Sequence, residues 1–517
     1  MMILPDAGDP MRQADCAAIS GPIQPSRPSL LPVLMPVLVA LLLSLPVRAP
    51  AQVFDDPGFS SELVVNVPSF QPVGVTWAAD GAMFIWQRNG IVRIFHDGVL
   101  HPTPFLDISN QVNTFNDRGL LGLALDPDFE QNGHVYLGYT YDPSGNPNDP
   151  GPKTSRISRV TANPANPDVA LPGSEVILID GIPDDGTTHT VGTLAFAPDG
   201  TLFISNGDGA SPAFADPRAA GAQDLASYRG KILRINPDGS APAPPQIPNP
   251  FYDGTDSIRS RVWAYGMRNP YRFEFHPTLG DLYSIDVGWN TWESVDRIQA
   301  GENHGWPCYE GVDPQPEYQA LLPAVCGPLT PSLVIAPIAT YNRSLGSCIS
   351  SGGLSTGTAY PLQYLNNFFF SDYSGQWIRR LVLNPDGSVA QNVRFATEVG
   401  TVTSIRTGPD GLLYYTEFNS GEIRRIVYTG VTAVASATPT SGYSPLSVAF
   451  SSAGSSDGLG GPLSYFWNFG DSTSSTQANP QHTYTSGAVQ TFQATLTVES
   501  LDAYTSIATV PVTIGSL

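Results

Sequence analysis

Lysine is nearly absent from this chain of 517 residues: only Lys153 and Lys231 occur, and every other basic residue is an arginine. With 25 basic against 46 acidic residues, the formal net charge is −21. That balance lacks the basic patches that neutralise phosphates, which excludes nucleic acid as an expected partner. Cysteine is scarce as well, with Cys16, Cys308, Cys326 and Cys348 as the full set. Their spacing does not resemble a zinc site. Beyond residue 51 no apolar run is long enough to span a membrane, and no helical periodicity of useful length appears. A Gly-x-Ser-x-Gly elbow, a His-Glu-x-x-His pair and a phosphate loop are all missing, which removes three common hydrolase and nucleotide-binding readings. What the chain does have is glycine and proline, 50 and 49 residues, set between apolar runs rather than in low-complexity tracts. A hydrophobic fraction of 41% is enough for a packed protein.

The first 51 residues read as an export signal. Leu30 to Leu45 is apolar, Arg27 precedes it, and Ala49-Pro-Ala51 supplies a small-x-small cleavage site. Asp6, Asp9 and Asp15 are unusual for a leader and place Met11 or a later methionine among the candidate starts. Cleavage after Ala51 predicts a secreted or periplasmic chain beginning at Gln52. The three remaining cysteines then suggest one disulfide and one free thiol, and Cys308–Cys326 closes the shortest loop. Asn342-Arg-Ser344 is a glycosylation sequon. The acidic excess reads mostly as solvated surface, although it also offers carboxylates for calcium.

Between Gln52 and Thr429 a refrain recurs: Ala78-Ala-Asp-Gly-Ala-Met-Phe-Ile85, Ala197-Pro-Asp-Gly-Thr-Leu-Phe-Ile204, His276-Pro-Thr-Leu-Gly-Asp-Leu-Tyr283 and Gly408-Pro-Asp-Gly-Leu-Leu-Tyr-Tyr415, with a looser form at Asp126–Tyr139. Each is a turn in which proline presets φ and glycine supplies positive φ, placed between two β-rich runs. A sixth unit is expected around Asn367–Leu381. This is the grammar of an all-β propeller of six blades, or seven, with inserted loops expected at 141–175, 206–228 and 308–350. After Thr429 the composition shifts to Ser, Thr and Ala. Tyr465-Phe-Trp-Asn-Phe-Gly-Asp471 and Pro480-Gln-His-Thr-Tyr484 resemble the signatures of PKD (polycystic kidney disease) domains, which implies an immunoglobulin-like β-sandwich over 434–517 after a propeller over 52–430. Such modules act as spacers or contact carbohydrate or protein surfaces; a spacer is the default expectation here.

Two stretches carry the chemistry: His189-Thr-Val-Gly-Thr-Leu and Tyr265-Gly-Met-Arg-Asn-Pro270. A histidine can take a proton near neutral pH, and an arginine can hold developing negative charge. Together with Asp117-Arg-Gly-Leu-Leu-Gly, Ser205-Asn-Gly-Asp-Gly209, Gly230-Lys-Ile-Leu-Arg-Ile and Gly301-Glu-Asn-His-Gly-Trp-Pro307, they give the region Pro68–Val427 a resemblance to the glucose/sorbosone dehydrogenase family. That resemblance implies a sugar or alcohol dehydrogenase that uses pyrroloquinoline quinone (PQQ) and calcium and hands its electrons to an unidentified acceptor. By the same resemblance His189 is the general base, and Arg268 and Asn269 stand beside the cofactor. The backbone at Gly288 and Trp289, with Glu293 or Asp296, holds calcium, and Asp208 is a candidate ligand for a second ion. The blander alternative is that His189 caps a turn and that the Arg-Asn pair locks the bend before Pro270. His304 reads as packing. One wall departs from the family pattern: Asp372 or Tyr373 stands where the enzymes carry a lysine, and Thr401 and Thr403 stand where they carry arginines. Arg379, Arg380 or Arg406 is a candidate replacement, with Arg406 the expected cofactor contact. The departures also support a second expectation, a non-catalytic propeller that binds carbohydrate or protein surfaces.

Overall fold

The repeated turns become the hairpins of a closed ring. In the first, third and last of them Gly81, Gly200 and Gly411 take φ of 92°, 80° and 78°. The preceding aspartates, Asp80, Asp199 and Asp410, accept the N–H two residues on at 2.9, 3.0 and 3.1 Å. These bonds are local, so the turn forms from its own sequence. The computed structural model describes residues 52–68, 71–357, 359–458, 460–501 and 505–515, and the expected leader lies outside them.

Among the described residues the hairpins build six antiparallel sheets, one per blade. The first strands are Pro72–Trp77, Leu120–Leu125, Val191–Phe196, Arg272–Phe275, Ile349–Leu354 and Val402–Thr407. Each pairs with a second strand: Met83–Gln87, His134–Tyr141, Leu202–Asn206, Leu282–Asp286, Phe368–Asp372 and Leu413–Glu417. The second strands are almost wholly buried because neighbouring blades cover both faces, which explains their continuous apolar runs. The fifth hairpin is joined by a longer connection that carries a single 3-10 turn, Leu362–Tyr364, in place of the refrain. The ring closes where Phe59–Asn66 pairs antiparallel with Glu422–Tyr428.

The expected loop at 141–175 is corrected. It holds the strands Lys153–Asn163 and Asn166–Ala170, which extend the second blade. Ser155 and Ser158 are among the buried residues of the longer strand, so apolar alternation was not there to be read. The loop at 308–350 carries two short helices, Pro316–Leu321 and Pro323–Cys326, tied by the disulfide Cys308–Cys326 across a Cα separation of 5.1 Å. No cysteine is free among the described residues, in place of the single free thiol expected.

Residues 431–515 form the β-sandwich. One sheet orders Ser436–Thr438, Leu446–Ser451 and Gln481–Tyr484; the other orders Ser441–Tyr443, Thr505–Gly515, Gln490–Ser500, Leu463–Asn468 and Ser474–Ser475. Its sequence signatures serve packing. Trp467 is fully buried, and the His482 ring lies flat on Phe469 with centroids 4.2 Å apart while its Nε2 sits 2.7 Å from Asp471.

At the centre of the ring one side chain joins the first strands of four blades. Arg272 is buried, and its five N–H groups are all used. Nε donates to Thr403 O at 3.0 Å; Nη1 donates to Leu121 O at 3.1 Å and Tyr271 O at 3.3 Å; Nη2 donates to Val73 O at 3.1 Å and the Tyr271 hydroxyl at 2.8 Å. Burial lowers the Arg272 pKa, yet a guanidinium starts so high that it keeps its charge. Arg272→Met removes those donors, takes away the side-chain partner of the Val73 and Thr403 carbonyls, and leaves Leu121 O with Trp86 Nε1 alone. We expect it to lower unfolding stability by about 3–5 kcal/mol in guanidinium titrations of the whole chain. Arg272→Lys should recover only part of the loss, because an ammonium has three donors.

Candidate functional site

An antiparallel hairpin brings the start of its first strand beside the end of its second. Every blade therefore presents two short segments at the same rim, and the central pocket is built from them. Arg88 follows the second strand of its blade, Tyr373 and Phe418 follow theirs, and His189 and Asn269 precede first strands. Asp117 completes the polar lining, while Leu121, Tyr271 and Thr403 form a floor directly above Arg272. The enclosed part is about 70 Å³. That is small beside the roughly 300–1,000 Å³ of typical ligand sites, so a larger ligand would extend into the open mouth.

His189 is held in a left-handed backbone conformation, φ 54°, which non-glycine residues rarely adopt. Gly207 explains how it is held: a Cβ there would lie 2.4 Å from His189 O and 2.7 Å from its Cβ, so only glycine admits the close approach. His189 Nδ1 lies 2.7 Å from Asp208 Oδ1. Asp208 also accepts from Ala210 N at 2.9 Å and, through Oδ2, from Trp306 Nε1 at 2.7 Å. Burial alone would raise the Asp208 pKa, but the charge and hydrogen bond of His189, with Arg268 and the Ala210 N–H, hold it below the usual carboxylate range. The ionised carboxylate keeps the proton on Nδ1 and leaves Nε2 as the basic nitrogen. Asp208 is thus placed behind His189 as its orienting partner, with its oxygens taken by donors rather than free for an ion.

Several polar atoms of the pocket wall have no protein partner. Arg88 Nε, Asp117 Oδ1 and Thr190 Oγ1 are buried and unbonded, and all three residues line the pocket. Buried orphans cost about 1–3 kcal/mol each, so their clustering marks a place for a polar ligand or water. Burial raises the Asp117 pKa, against the opposing charges of His189 and Arg88.

The Arg-Asn pair divides between two spaces. Asn269 lines the pocket. Arg268 does not; it lies behind, over the Trp306 ring, and donates through Nη1 to Val287 O at 3.0 Å and Gly288 O at 2.5 Å. It borders a small polar cavity with Asp286, Asp296, His304 and Trp306. The backbone N–H groups of both Arg268 and Asn269 are held by the Asp286 carboxylate, at 3.0 and 2.6 Å. Burial, with the Asp296 charge adding to it, pushes Asp286 up to about 7. His304 is more than packing: its Nδ1 is 3.2 Å from Asp296 Oδ1.

The other expected ligands are also engaged. Glu293 is buried and accepts from Arg343, Gly288 N and Ile349 N. Trp289 packs against Trp306 and Tyr318, and its carbonyl accepts from Arg343. No group of three or more His, Cys, Asp or Glu side chains is disposed to hold a metal among the described residues. Arg406 is absent from the pocket lining and lies by Glu274 and Arg272, toward the other end of its strand. On the far wall Tyr373 and Thr403 face the pocket, while Asp372 is saturated by Tyr341, Cys348 N, Ser374 and Gly375 N. Arg88 is the cation that sequence reasoning missed. Its position after Met83–Gln87, equivalent to Asp208 after Leu202–Asn206, was the available signal.

Residues 70–425 match the family Glucose / Sorbosone dehydrogenase, and residues 432–514 match the PKD domain. Quinoprotein glucose dehydrogenase B of Acinetobacter calcoaceticus is 28% identical over 257 residues, 47% of this chain and 51% of that one, so the chain spans about half the length of that relative. Hedgehog-interacting protein of Homo sapiens is 32% identical over 221 residues, 40% of this chain and 31% of that protein. The solved structure of an oxidoreductase (glucose dehydrogenase) of Thermus thermophilus aligns with a TM-score of 0.56 and 26% identity, covering 71% of this chain and 100% of that one. The chain belongs to the glucose/sorbosone dehydrogenase family, its propeller followed by a PKD domain.

Proposed function

We propose that this protein is an exported dehydrogenase that oxidises a hydroxyl of a sugar or other alcohol with PQQ as its cofactor. The observation that carries the reading is the chain Trp306–Asp208–His189, which fixes the imidazole tautomer and leaves Nε2 as a base beside a pocket whose wall holds three unpaired polar atoms. PQQ is a flat, aromatic tricarboxylate and, when bound, supplies a two-electron acceptor for the hydride. The residues fit such a group in part. Tyr271, Tyr373 and Phe418 give aromatic walls. Arg88 has an unused Nε on the pocket wall, and the Arg272 charge lies beneath the floor. Arg88 can offer that one N–H to a carboxylate, whereas Arg272, its donors already used, adds only its charge from below, so the cations missing from the far wall are replaced in part.

In this reading His189 Nε2 takes the hydroxyl proton. The Asp208 carboxylate stabilises the imidazolium that forms and returns it to the same tautomer. Asn269 and Arg88 orient the ligand through their polar ends. A sugar substrate follows from the family; the particular sugar and the electron acceptor do not. The expected signal over 1–51 supports a secreted or periplasmic location. The second reading, a non-catalytic propeller that binds a glycan or protein surface, is favoured by the neutral far wall and by the 32% identity to a protein named for a binding partner.

Calorimetry with PQQ on the whole chain separates the two. Binding at micromolar concentration supports the dehydrogenase; no heat at high micromolar PQQ leaves the binding reading. With aldoses and an artificial dye acceptor, His189→Ala should lose about 10²–10⁴-fold in turnover. It also leaves the buried Asp208 carboxylate without its ring partner and should melt lower, so turnover is compared where circular dichroism shows both proteins folded. Asp208→Asn should lose on the order of 10²-fold in kcat with a displaced pH–rate profile, since an amide cannot hold the Nδ1 proton as an ionised carboxylate does.

A further inference from the structure

The loop after Leu282–Asp286 is where calcium was expected, and its acceptors are already taken by arginine. Arg268 Nη1 holds the carbonyls of Val287 and Gly288, at 3.0 and 2.5 Å. Arg343 Nη2 holds the next carbonyl, Trp289 O. Arg343 Nη1 reaches Glu293 Oε1 at 2.5 Å and the Ser347 carbonyl. The second Glu293 oxygen accepts from Gly288 N at 3.2 Å and Ile349 N at 3.1 Å. Three successive carbonyls and one carboxylate, an oxygen set suited to a hard cation, therefore face two guanidinium groups.

The loop is locked in that arrangement from its other side. Glu310 Oε1 accepts the N–H groups of Trp289, Asn290, Thr291 and Trp292 at 2.8, 2.9, 2.9 and 3.1 Å. Its Oε2 is held by Gln315 Nε2 at 2.7 Å. Four converging N–H groups on one oxygen fix the turn, and with it the direction of the carbonyls. The Cys308–Cys326 disulfide secures the segment that carries Glu310.

Calcium needs about six to eight oxygens at roughly 2.3–2.6 Å. To enter here it would have to displace both guanidiniums from their carbonyls, and the displaced charges would stay nearby and repel it. We infer that Arg343, with Arg268, is the resident cation of this loop and takes the place of calcium, so that the loop and the adjoining pocket wall are independent of the metal. The inference concerns the site of the proposed dehydrogenase but does not need PQQ to be its cofactor.

The test is calcium binding by the whole chain without PQQ, after dialysis against EGTA. Wild type should give no saturable calcium heat from this loop, and its melting temperature should be the same in EGTA and in millimolar CaCl₂. The double variant Arg268→Ala/Arg343→Ala removes both cations and releases the Val287, Gly288 and Trp289 carbonyls and one Glu293 oxygen. It should melt lower in EGTA, regain part of the loss in CaCl₂, and show one calcium site that wild type lacks. A wild-type calcium isotherm abolished by Glu293→Gln overturns the inference. A wild-type isotherm that survives Glu293→Gln belongs to another part of the chain and leaves the inference standing. Should Glu293→Gln fail to fold, the double variant decides: an additional site supports the inference, and no added site, or a tighter isotherm of unchanged stoichiometry, overturns it. Failure of PQQ to bind would count against the dehydrogenase reading alone.

Discussion

Four of the six blades converge on the guanidinium of Arg272. Chain connectivity sets the order of the blades, and their apolar faces hold them together without fixing how each is aligned to the axis. Arg272 adds direction, because its donors lie in one plane and each requires a carbonyl in the right place. Val73, Leu121 and Thr403 supply those carbonyls from three other blades. Two of those strands, with Tyr271 beside Arg272 itself, supply the pocket floor, so the floor cannot shift without disturbing the hub. The site is small and its surface mostly apolar, with a few polar groups at its wall and a buried charge below the floor.

The rim follows from the hairpins. Once six antiparallel pairs radiate from one axis, the residues before each first strand and after each second strand must share a face. The local demands of that face are visible in the backbone. His189 accepts a strained φ because Gly207 makes room and Asp208 and Trp306 fix the ring. Asn269 accepts its bend because Asp286 gathers two consecutive N–H groups.

The parts of this design that were legible in the sequence are those whose determinants are close together in the chain. An Asp-Gly turn bonds to itself within two residues, so the hairpins could be read and six or seven blades counted, while the β-sandwich was reached through the resemblance of its signatures to PKD domains. His189 and Asn269 could be placed because each abuts a strand. Arg272 could not: its partners Thr403, Leu121 and Val73 are separated from it by 131, 151 and 199 residues. Arg343 and Glu310 were hidden for the same reason, and Arg343 was read only as the middle of a sequon. Gly288, Trp289, Glu293 and Asp208 were recognisable as oxygen donors, but composition does not say which donor group has already reached an oxygen. Arg406 shows the opposite limit. Its strand was identified, yet only the rise along that strand decides which end meets the pocket.

The closure of the ring sets an order on synthesis. Phe59–Asn66 leaves the ribosome among the first propeller segments, and its partner Glu422–Tyr428 among the last. Until that partner exists, the early strand has no place in a blade and exposes an unpaired edge, the kind of surface that recruits other chains. A fragment that stops short of residue 422 would carry five complete blades and still lack a ring. The last turn of the polypeptide around the axis, rather than any single blade, makes the propeller a closed body.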